Sequence, residues 1–376
     1  VNGHDIAAVE TALRRARMLE EPVIVHVITE KGRGYKPAEK DIADRFHAVG
    51  PIHPETGLPV APERFGWTGV FAEEICAQAA TRTDIVGITA AMMRPVGLGP
   101  MHEAYPGRVI DVGIAEAEAV AAAAGMAYEG AHPVVALYAT FLNRAFDQLL
   151  MDVALHKAGV TLVLDRAGIT GADGASHNGV WDIAMCSLIP GLRLAAPRDE
   201  DTLRGQLREA LDVGDAPTVL RYRKGALPEP MPALCSVGGV DVLLDEACPS
   251  SPAKILIVGT GACAPDAIEA GRRLAADGIS VTVVDPRWLI PISSGLADMA
   301  ADYDAVITVE DGIVHGGFGW ALRDALAESG IPVRCLGVPQ GFPEHGERSR
   351  MIADFGYDAD GIEATARGLV NTVAAR

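Results

Sequence analysis

The chain is short of the features that tie a protein to nucleic acid, to a lipid surface or to a disulfide framework. Of its 376 residues, 32 are Lys or Arg and 50 are Asp or Glu, a formal charge of −18. So acidic a chain is not expected to bind nucleic acid or an anionic membrane, although a local basic pocket for a small phosphorylated substrate stays open. Its cysteines, at 76, 186, 235, 248, 263 and 335, are scattered. They form no CxxC pair and no His/Cys cluster with zinc spacing. Buried free thiols in a reducing cytosol are expected. No apolar run is long enough to span a bilayer and no signal peptide is visible, so a cytoplasmic location is expected. There is no short internal repeat. The first residue is Val1 rather than Met, and an amphipathic pattern follows almost at once. The expectation is therefore the middle of a longer protein.

What is present is ample apolar material, 49% of residues, on a chain too long for one ordinary core. Two or three domains are expected. Ile6 to Leu19 has helix spacing, with Ile6, Val9, Leu13 and Leu19 on one side and Arg14, Arg15 and Arg17 between them. Val23–Ile28 reads as a β-branched strand. Residues from about Lys31 to Phe65 hold many Pro, Gly and charged residues without a period, and read as an ordered crossing segment.

From Trp67 to about Gly225, strand and helix signals alternate. Strands are predicted at Ile85–Thr89, Val109–Val112, Pro133–Tyr138, Val160–Asp165, Leu192–Ala195 and Thr218–Tyr222, with helices such as Asn143–Lys157 and Glu200–Leu211 between them. That alternation implies a parallel sheet covered on both faces. Leu227 to Ala253, with five prolines, reads as a linker. A second α/β unit follows, with strands at Ile255–Val258, Val281–Val284, Ala305–Val309 and Val333–Gly337, and helices Asp266–Ala276 and Phe318–Glu328. Gly259-Thr260-Gly261-Ala262 is a partial dinucleotide-binding pattern, better explained as a tight strand-to-helix turn. His315-Gly316-Gly317-Phe318-Gly319 looks like a helix entry at a domain contact.

The most informative stretch is Asp111-Val112-Gly113-Ile114-Ala115-Glu116. Val109 to Ile114 reads as a short buried strand and Ala115 to Tyr128 as an alanine-rich helix. Glu116 then sits at the carboxyl end of a parallel strand, where open α/β sheets bind ligands. An acid at a helix start also complements the helix dipole. On the residue alone the second, purely structural reading is favoured.

Its companions reverse that preference. Lys31-Gly32-Arg33-Gly34-Tyr35, Phe46-His47-Ala48-Val49, the Glu116 stretch, Tyr138 to Gln148, Asp165-Arg166-Ala167-Gly168 and Gly171 to Gly179 occur in one order and spacing. Together they resemble the 1-deoxy-D-xylulose 5-phosphate synthases, thiamine-diphosphate enzymes of the transketolase superfamily. The likeness runs from about Gly3 to the C-terminus. It implies two α/β/α sandwich domains with mostly parallel sheets, preceded by the tail of a first domain. The expected boundaries are 1–66 for that tail and the crossing segment, 67–235 for a pyrimidine-binding domain and 236–376 for a transketolase-type C-terminal domain. The implied activity is that of a transferase condensing pyruvate with D-glyceraldehyde 3-phosphate, with loss of carbon dioxide, for non-mevalonate isoprenoid, thiamine and pyridoxal synthesis. The implied cofactors are thiamine diphosphate and magnesium, and the implied assembly is a homodimer.

The resemblance also assigns residues. Glu116 would hydrogen-bond the cofactor's aminopyrimidine and promote loss of the thiazolium C2 proton. Phe141 would pack against that ring, with Arg144 and Lys31 nearby. Phe141 also reads as an ordinary core residue, and Arg144 as a simple cap or ion-pair partner. Arg166 and Lys224 would bind the acceptor's phosphate, or else are two solvated surface cations. Tyr138, Asp173, His177 and His47 would shape the substrate pocket, with His177 and His47 counted as catalytic.

The sequence departs from the family pattern in two places. Gln-His after the acid is replaced by Ala117-Glu118, and Tyr-Pro-Arg-Gly by Tyr222-Arg223-Lys224-Gly225. Glu118 either points into the site and alters its charge or faces solvent. Lysine binds phosphate as a point charge without arginine's fork, which Arg223 would have to supply. The family's Gly-Asp-Gly motif with its later Asn, which holds magnesium and diphosphate, does not occur. Its ligands are expected in a missing first domain, no metal ligand is assigned here, and the isolated chain is expected to be inactive. Two other readings stay open. One is a transketolase-like or pyruvate dehydrogenase beta-like subunit. The other is a degenerate, non-catalytic homologue acting through a partner.

Overall fold

A computed structural model describes residues 1–41, 45–47, 49–60 and 66–374. Ala48 of the Phe46 to Val49 motif, and parts of the crossing segment, lie outside the described residues. The chain divides into two compact units, Val1–Arg64 and Phe65–Arg376.

In the first unit the helix Ile6–Arg17 starts at Asp5, whose side chain accepts from the Ala8 N–H at 3.0 Å, and buries no residue. The predicted strand Val23–Ile28 does not form. Asn2 and Ile28 make an isolated bridge, and Ile24 is 95% exposed. A strand needs a ladder, and these residues find no continuous partner among the described residues of the unit. Within the crossing segment, Lys36–Lys40 forms a short helix with proline in its first turn.

The second unit contains two sheets. Its strands are β1 (Ile85–Thr89), β2 (Val109–Asp111), β3 (His132–Tyr138), β4 (Thr161–Asp165), β5 (Arg193–Ala195), β6 (Thr218–Tyr222), β7 (Cys235–Val237), β8 (Val240–Glu246), β9 (Lys254–Gly259), β10 (Ser280–Asp285), β11 (Trp288–Ile290), β12 (Ala305–Ile313) and β13 (Val333–Val338). One sheet runs β11-β5-β6-β4-β3-β1-β2 and the other β13-β12-β9-β10-β8-β7. Both are mostly parallel, and helices separate most of their successive strands. The central strands β4 and β6 are buried along their whole length, which is why they read as continuous apolar runs.

Three predicted segments of this unit differ from the structure, and one strand, β11, has no counterpart among the predictions. β2 is an edge strand rather than a buried one, and leaves Ile110 36% and Ile114 80% exposed. The linker region contains the β7–β8 hairpin, turning at Gly238 and Gly239, both with positive φ. Two glycines between strands are a hairpin signal that the surrounding prolines masked. β11 crosses from the second half to pair antiparallel with β5. The single helix expected over Asn143–Lys157 is instead a 3₁₀ segment, Ala139–Ala145, then Phe146–Gln148 in α conformation, then a π turn, Leu149–Ala154.

The helix Glu116–Tyr128 packs Ala119, Val120, Ala123 and Ala124 into the same core as Val135 and Leu137 of β3. Alanine lets the helix lie close to the sheet. Of the six cysteines, only Cys186 and Cys263 are buried, and Cys235 is exposed. All are free thiols, so the expectation of general burial fails. No helix among the described residues is long and apolar enough to cross a membrane.

Candidate active site

Strand register sets the site. Tyr138, Asp165 and Tyr222 are aligned across β3, β4 and β6, so the segments following these strands emerge along one edge. Asp111 of β2 pairs with Thr89 at the same edge, and Glu116 follows five residues later. This is the carboxyl edge, where ligands of open parallel sheets are bound.

Glu116 is the first residue of its helix and is 3% exposed. Its Oε1 accepts from Arg144 Nη1 at 2.7 Å. Among the described residues no donor reaches Oε2. The guanidinium of Arg144 also lies 4.7 Å from the centre of the Phe141 ring. The 3₁₀ geometry explains that approach, because residues i and i+3 eclipse in such a helix. A regular α-helix would have offset them. Phe141 in turn stacks on Tyr138, with centroids 6.0 Å apart and planes 9° apart. It meets the His177 ring edge-on at 5.7 Å. Arg166 covers the other aromatic, with its guanidinium 3.9 Å from the Tyr138 ring centre. Six residues singled out from the sequence, Glu116, Arg144, Phe141, Tyr138, Arg166 and His177, thus form one chain of contacts.

Arg166 adopts positive φ (60°), at the sharp exit from β4. Its Nη1 lies 3.0 Å from Asp165 Oδ1 without hydrogen-bond geometry. Thr68 Oγ1 donates to Asp165 Oδ2 at 2.6 Å. Burial raises the Asp165 carboxyl above its usual range, with Arg166 opposing. His177 Nδ1 is 2.9 Å from Ser176 Oγ. Thr140 donates to the Ser176 carbonyl at 3.0 Å, joining the His177 loop to the Phe141 turn.

Asp173 and Lys224 meet each other. Both carboxylate oxygens accept from Nζ at 2.9 Å. Arg223 Nε is buried and has no hydrogen-bond partner among the described residues. Burial, and then the charge of Arg348, lower its guanidinium below the usual value, while Asp311 and Asp266 of the second half oppose that shift. Glu118 is exposed on the helix, which places this departure outside the Glu116–Arg144 contact. Lys31 and His47 are both exposed and belong to the first unit.

The glycine turn after β9 is closed by protein. A Cβ on Gly261 would lie 2.9 Å from the Ala196 carbonyl oxygen and 3.0 Å from that of Pro197, so no dinucleotide phosphate has room there. Among the described residues no group of three or more His, Cys, Asp or Glu side chains is placed to hold a metal ion.

Comparison with known proteins agrees with this geometry. Residues 63–230 match the transketolase pyrimidine binding domain, and residues 249–362 match the transketolase C-terminal domain. The 1-deoxy-D-xylulose-5-phosphate synthase 2 of Kitasatospora griseola is 54% identical over 99% of this chain and 59% of its own length. The 1-deoxy-D-xylulose-5-phosphate synthase of Corynebacterium glutamicum is 50% identical over 99% of this chain and 60% of its own length. The chain carries these two transketolase domains and is similar along its length to 1-deoxy-D-xylulose-5-phosphate synthases. It spans about three-fifths of the length of these curated relatives. A solved structure described as a split gene transketolase, inactive beta4 tetramer, aligns with a TM-score of 0.70 at 26% identity, covering 80% of this chain and 97% of that one.

The sequence reading did not reach Thr68, Thr140, Asn178, Asp311 or Arg348. Thr140 and Asn178 stood inside quoted motifs and carried a signal. The others act across more than 30 residues of sequence, and no local pattern marks them.

Proposed function

We propose that this chain carries the pyrimidine-activating part of a thiamine-diphosphate site and serves the synthesis of 1-deoxy-D-xylulose 5-phosphate from pyruvate and D-glyceraldehyde 3-phosphate. The observation that carries the proposal is the buried Glu116 carboxylate, held on one oxygen by Arg144 and set beside the Phe141–Tyr138 stack. A flat heteroaromatic ring needs a ring face and one carboxyl group at its edge, and these residues fit that demand. Bound there, the cofactor supplies a nucleophilic carbon and an electron sink for loss of carbon dioxide.

The residues of the chain take the remaining roles. Glu116 holds a proton at the aminopyrimidine through Oε2 while Arg144 fixes Oε1. Phe141 supplies the packing face, and His177, edge-on to it, donates toward a substrate oxygen. Arg166 and Lys224 receive the aldehyde's phosphate, Lys224 parting from Asp173 to do so. Tyr138 and Asp173 shape the pocket, and Lys31 and His47 are assigned to the same site on the resemblance alone. No step is derived through magnesium. A cytoplasmic homodimer, and the division at residues 66 and 235, belong to the same proposal. The exposed position of Glu118 favours an enzyme over a degenerate homologue, because the departure leaves the acid's own contacts intact.

The test is Glu116→Ala in the intact protein, followed as pyruvate consumption with the aldehyde present. Turnover is expected to fall at least ~10²-fold, the low end for a positioned acid–base group. Near-normal turnover would remove Glu116 from this role and return the non-catalytic reading to first place.

A further inference from the structure

The loop between β4 and the helix Asp182–Cys186 carries Asp173 and His177, yet much of what holds it comes from the other sheet. At its start, Ile169 N–H donates to Asp311 Oδ1 at 3.1 Å, and the Ile169 carbonyl accepts from Arg348 Nε at 3.0 Å. Arg348 Nη2 donates to Asp311 Oδ2 at 2.7 Å, and Tyr357 OH to Oδ1 at 3.0 Å. At its end, Arg221 bonds the Asp182 carboxylate at 2.7 Å and the Asp311 carbonyl at 2.8 Å, while Ile313 N–H donates to the Val180 carbonyl at 2.9 Å. In its middle, Asn178 accepts from Thr170 N–H at 2.9 Å and donates to the Pro343 carbonyl at 3.2 Å.

The fit leaves no slack. Gly168 has φ +78°, and a Cβ there would lie 2.0 Å from Asp311 Oδ2. Asp311 is 1% exposed. Burial opposes its charge, but Arg348 and Arg221 outweigh burial and hold the carboxyl below its ordinary value. A buried carboxylate with two arginines and three donors is a rigid point, and the loop's start is tied to it while its end reaches the same residue's carbonyl through Arg221. On its other side the same loop touches the proposed site, through Thr140 on the Ser176 carbonyl and through the His177–Phe141 contact.

We infer that Asp311 and Arg348, in the second half of the chain, are positioning residues that set the His177 loop against the Phe141 turn. They touch neither cofactor nor substrate. Asp311 fixes the loop's first backbone amide and orients Arg348, which fixes the adjoining carbonyl. The positioning of the loop stands on geometry alone. Its service to catalysis rests on the function proposed above.

The test compares Asp311→Asn and Gly168→Ala with the unaltered chain by hydrogen exchange. Asn presents an N–H where Arg348 needs an acceptor, and the alanine methyl displaces the loop without altering Asp311. Arg273→Ala, which removes a surface ion pair with Asp360 in the same half, is the control. Amides of residues 168–179 are expected to exchange about tenfold faster or more in both loop variants and unchanged in the control, with helices such as Glu200–Leu211 unaffected. Acceleration across the whole second unit would mean a merely structural role and overturn the inference, as would no acceleration. A second arm measures steady-state kinetics. KM for glyceraldehyde 3-phosphate is expected to rise at least about fivefold, with KM for pyruvate nearly constant. A loosened loop with both KM values unchanged would show that the brace does not serve the site. If the unaltered protein lacks the activity, the proposed function fails while the exchange result still decides the positioning.

Discussion

Lys224 separates the two proposed substrates most cleanly, because only one of them carries phosphate. In the structure its ammonium holds Asp173, with the two side chains 43% and 27% exposed. A pair this open is worth at most about 1 kcal/mol, so it can part to admit a ligand. A charge-assisted contact to phosphate contributes roughly 1.5–3 kcal/mol. Leaving Asp173 offsets up to about 1 kcal/mol of that. Lys224→Ala should then cost roughly 0.5–3 kcal/mol of acceptor binding, or about 2-fold to 150-fold in KM for glyceraldehyde 3-phosphate. KM for pyruvate should hardly move. Asp173→Asn frees the ammonium, and the double variant measures the coupling between the two residues. The assay is steady-state kinetics with each substrate varied in turn, at low and high salt. Added salt should erode the unaltered protein's affinity for the aldehyde, since an exposed ionic contact is screened. Lys224→Arg should retain or improve binding by supplying a fork. Equal rises in both KM values would point to misfolding and refute the reasoning. No change would transfer the phosphate contact to Arg166.

Three further outcomes concern Phe141, His132 and Glu310. Phe141→Ala should weaken thiamine diphosphate binding by about 0.5–1.5 kcal/mol, the worth of a stacked pair beyond its area, and titration calorimetry that shows unchanged affinity would remove the ring from the site. Burial, and next the charge of Arg82, push His132 down to about 4, and its Nε2 lies 2.9 Å from Thr161 Oγ1. Its folded value is depressed, so stability is lost as pH falls from about 6.5 toward 4, by up to roughly 3 kcal/mol. His132→Asn should flatten the urea-unfolding midpoint of the first sheet over that window, and an unchanged slope would contradict the assignment. Glu310 runs the other way. Burial raises it to about 7 against two backbone donors, Phe318 N–H and Gly319 N–H. Its stabilising share is present below about 4.5 and disappears as pH rises through about 7. Glu310→Gln should abolish that alkaline loss, and a parallel pH profile for the two proteins would count against it.

The segments legible in the sequence were those whose fate is local. β4 and β6 are apolar runs bounded by turns, and their burial on both faces was written in Thr161–Asp165 and Thr218–Tyr222. Glu200–Leu211 was legible because Asp199 and Thr202 cap each other within one turn. β11 was not, since three residues make a strand only when β5 waits beside them. The Ala139–Ala154 stretch has helical composition, and nothing in that composition announces a 3₁₀ start and a π end. At the site, the motifs marked Glu116, Phe141, Arg144 and His177, and the structure brings these into contact. It also joins Asp173 to Lys224, a pairing that ordered motifs do not reveal. Asp311 and Arg348 were invisible because the loop residue they hold, Ile169, lies more than 140 residues away.

The crossing of β11 bears on how this chain can be divided. A cut between the halves near residue 235 would strip Trp288–Ile290 from β5 and turn a paired strand into a bare edge, a template for self-association. The same cut would leave Arg198, now held by Asp241 at 2.6 Å and Asp285 at 2.9 Å, as a buried cation with neither carboxylate. The two sheets match separate domain families, yet neither half closes its own edges and charges. Evolution or engineering that shuffles these halves must move the residues around Trp288 and Asp285 with the first sheet, or rebuild them.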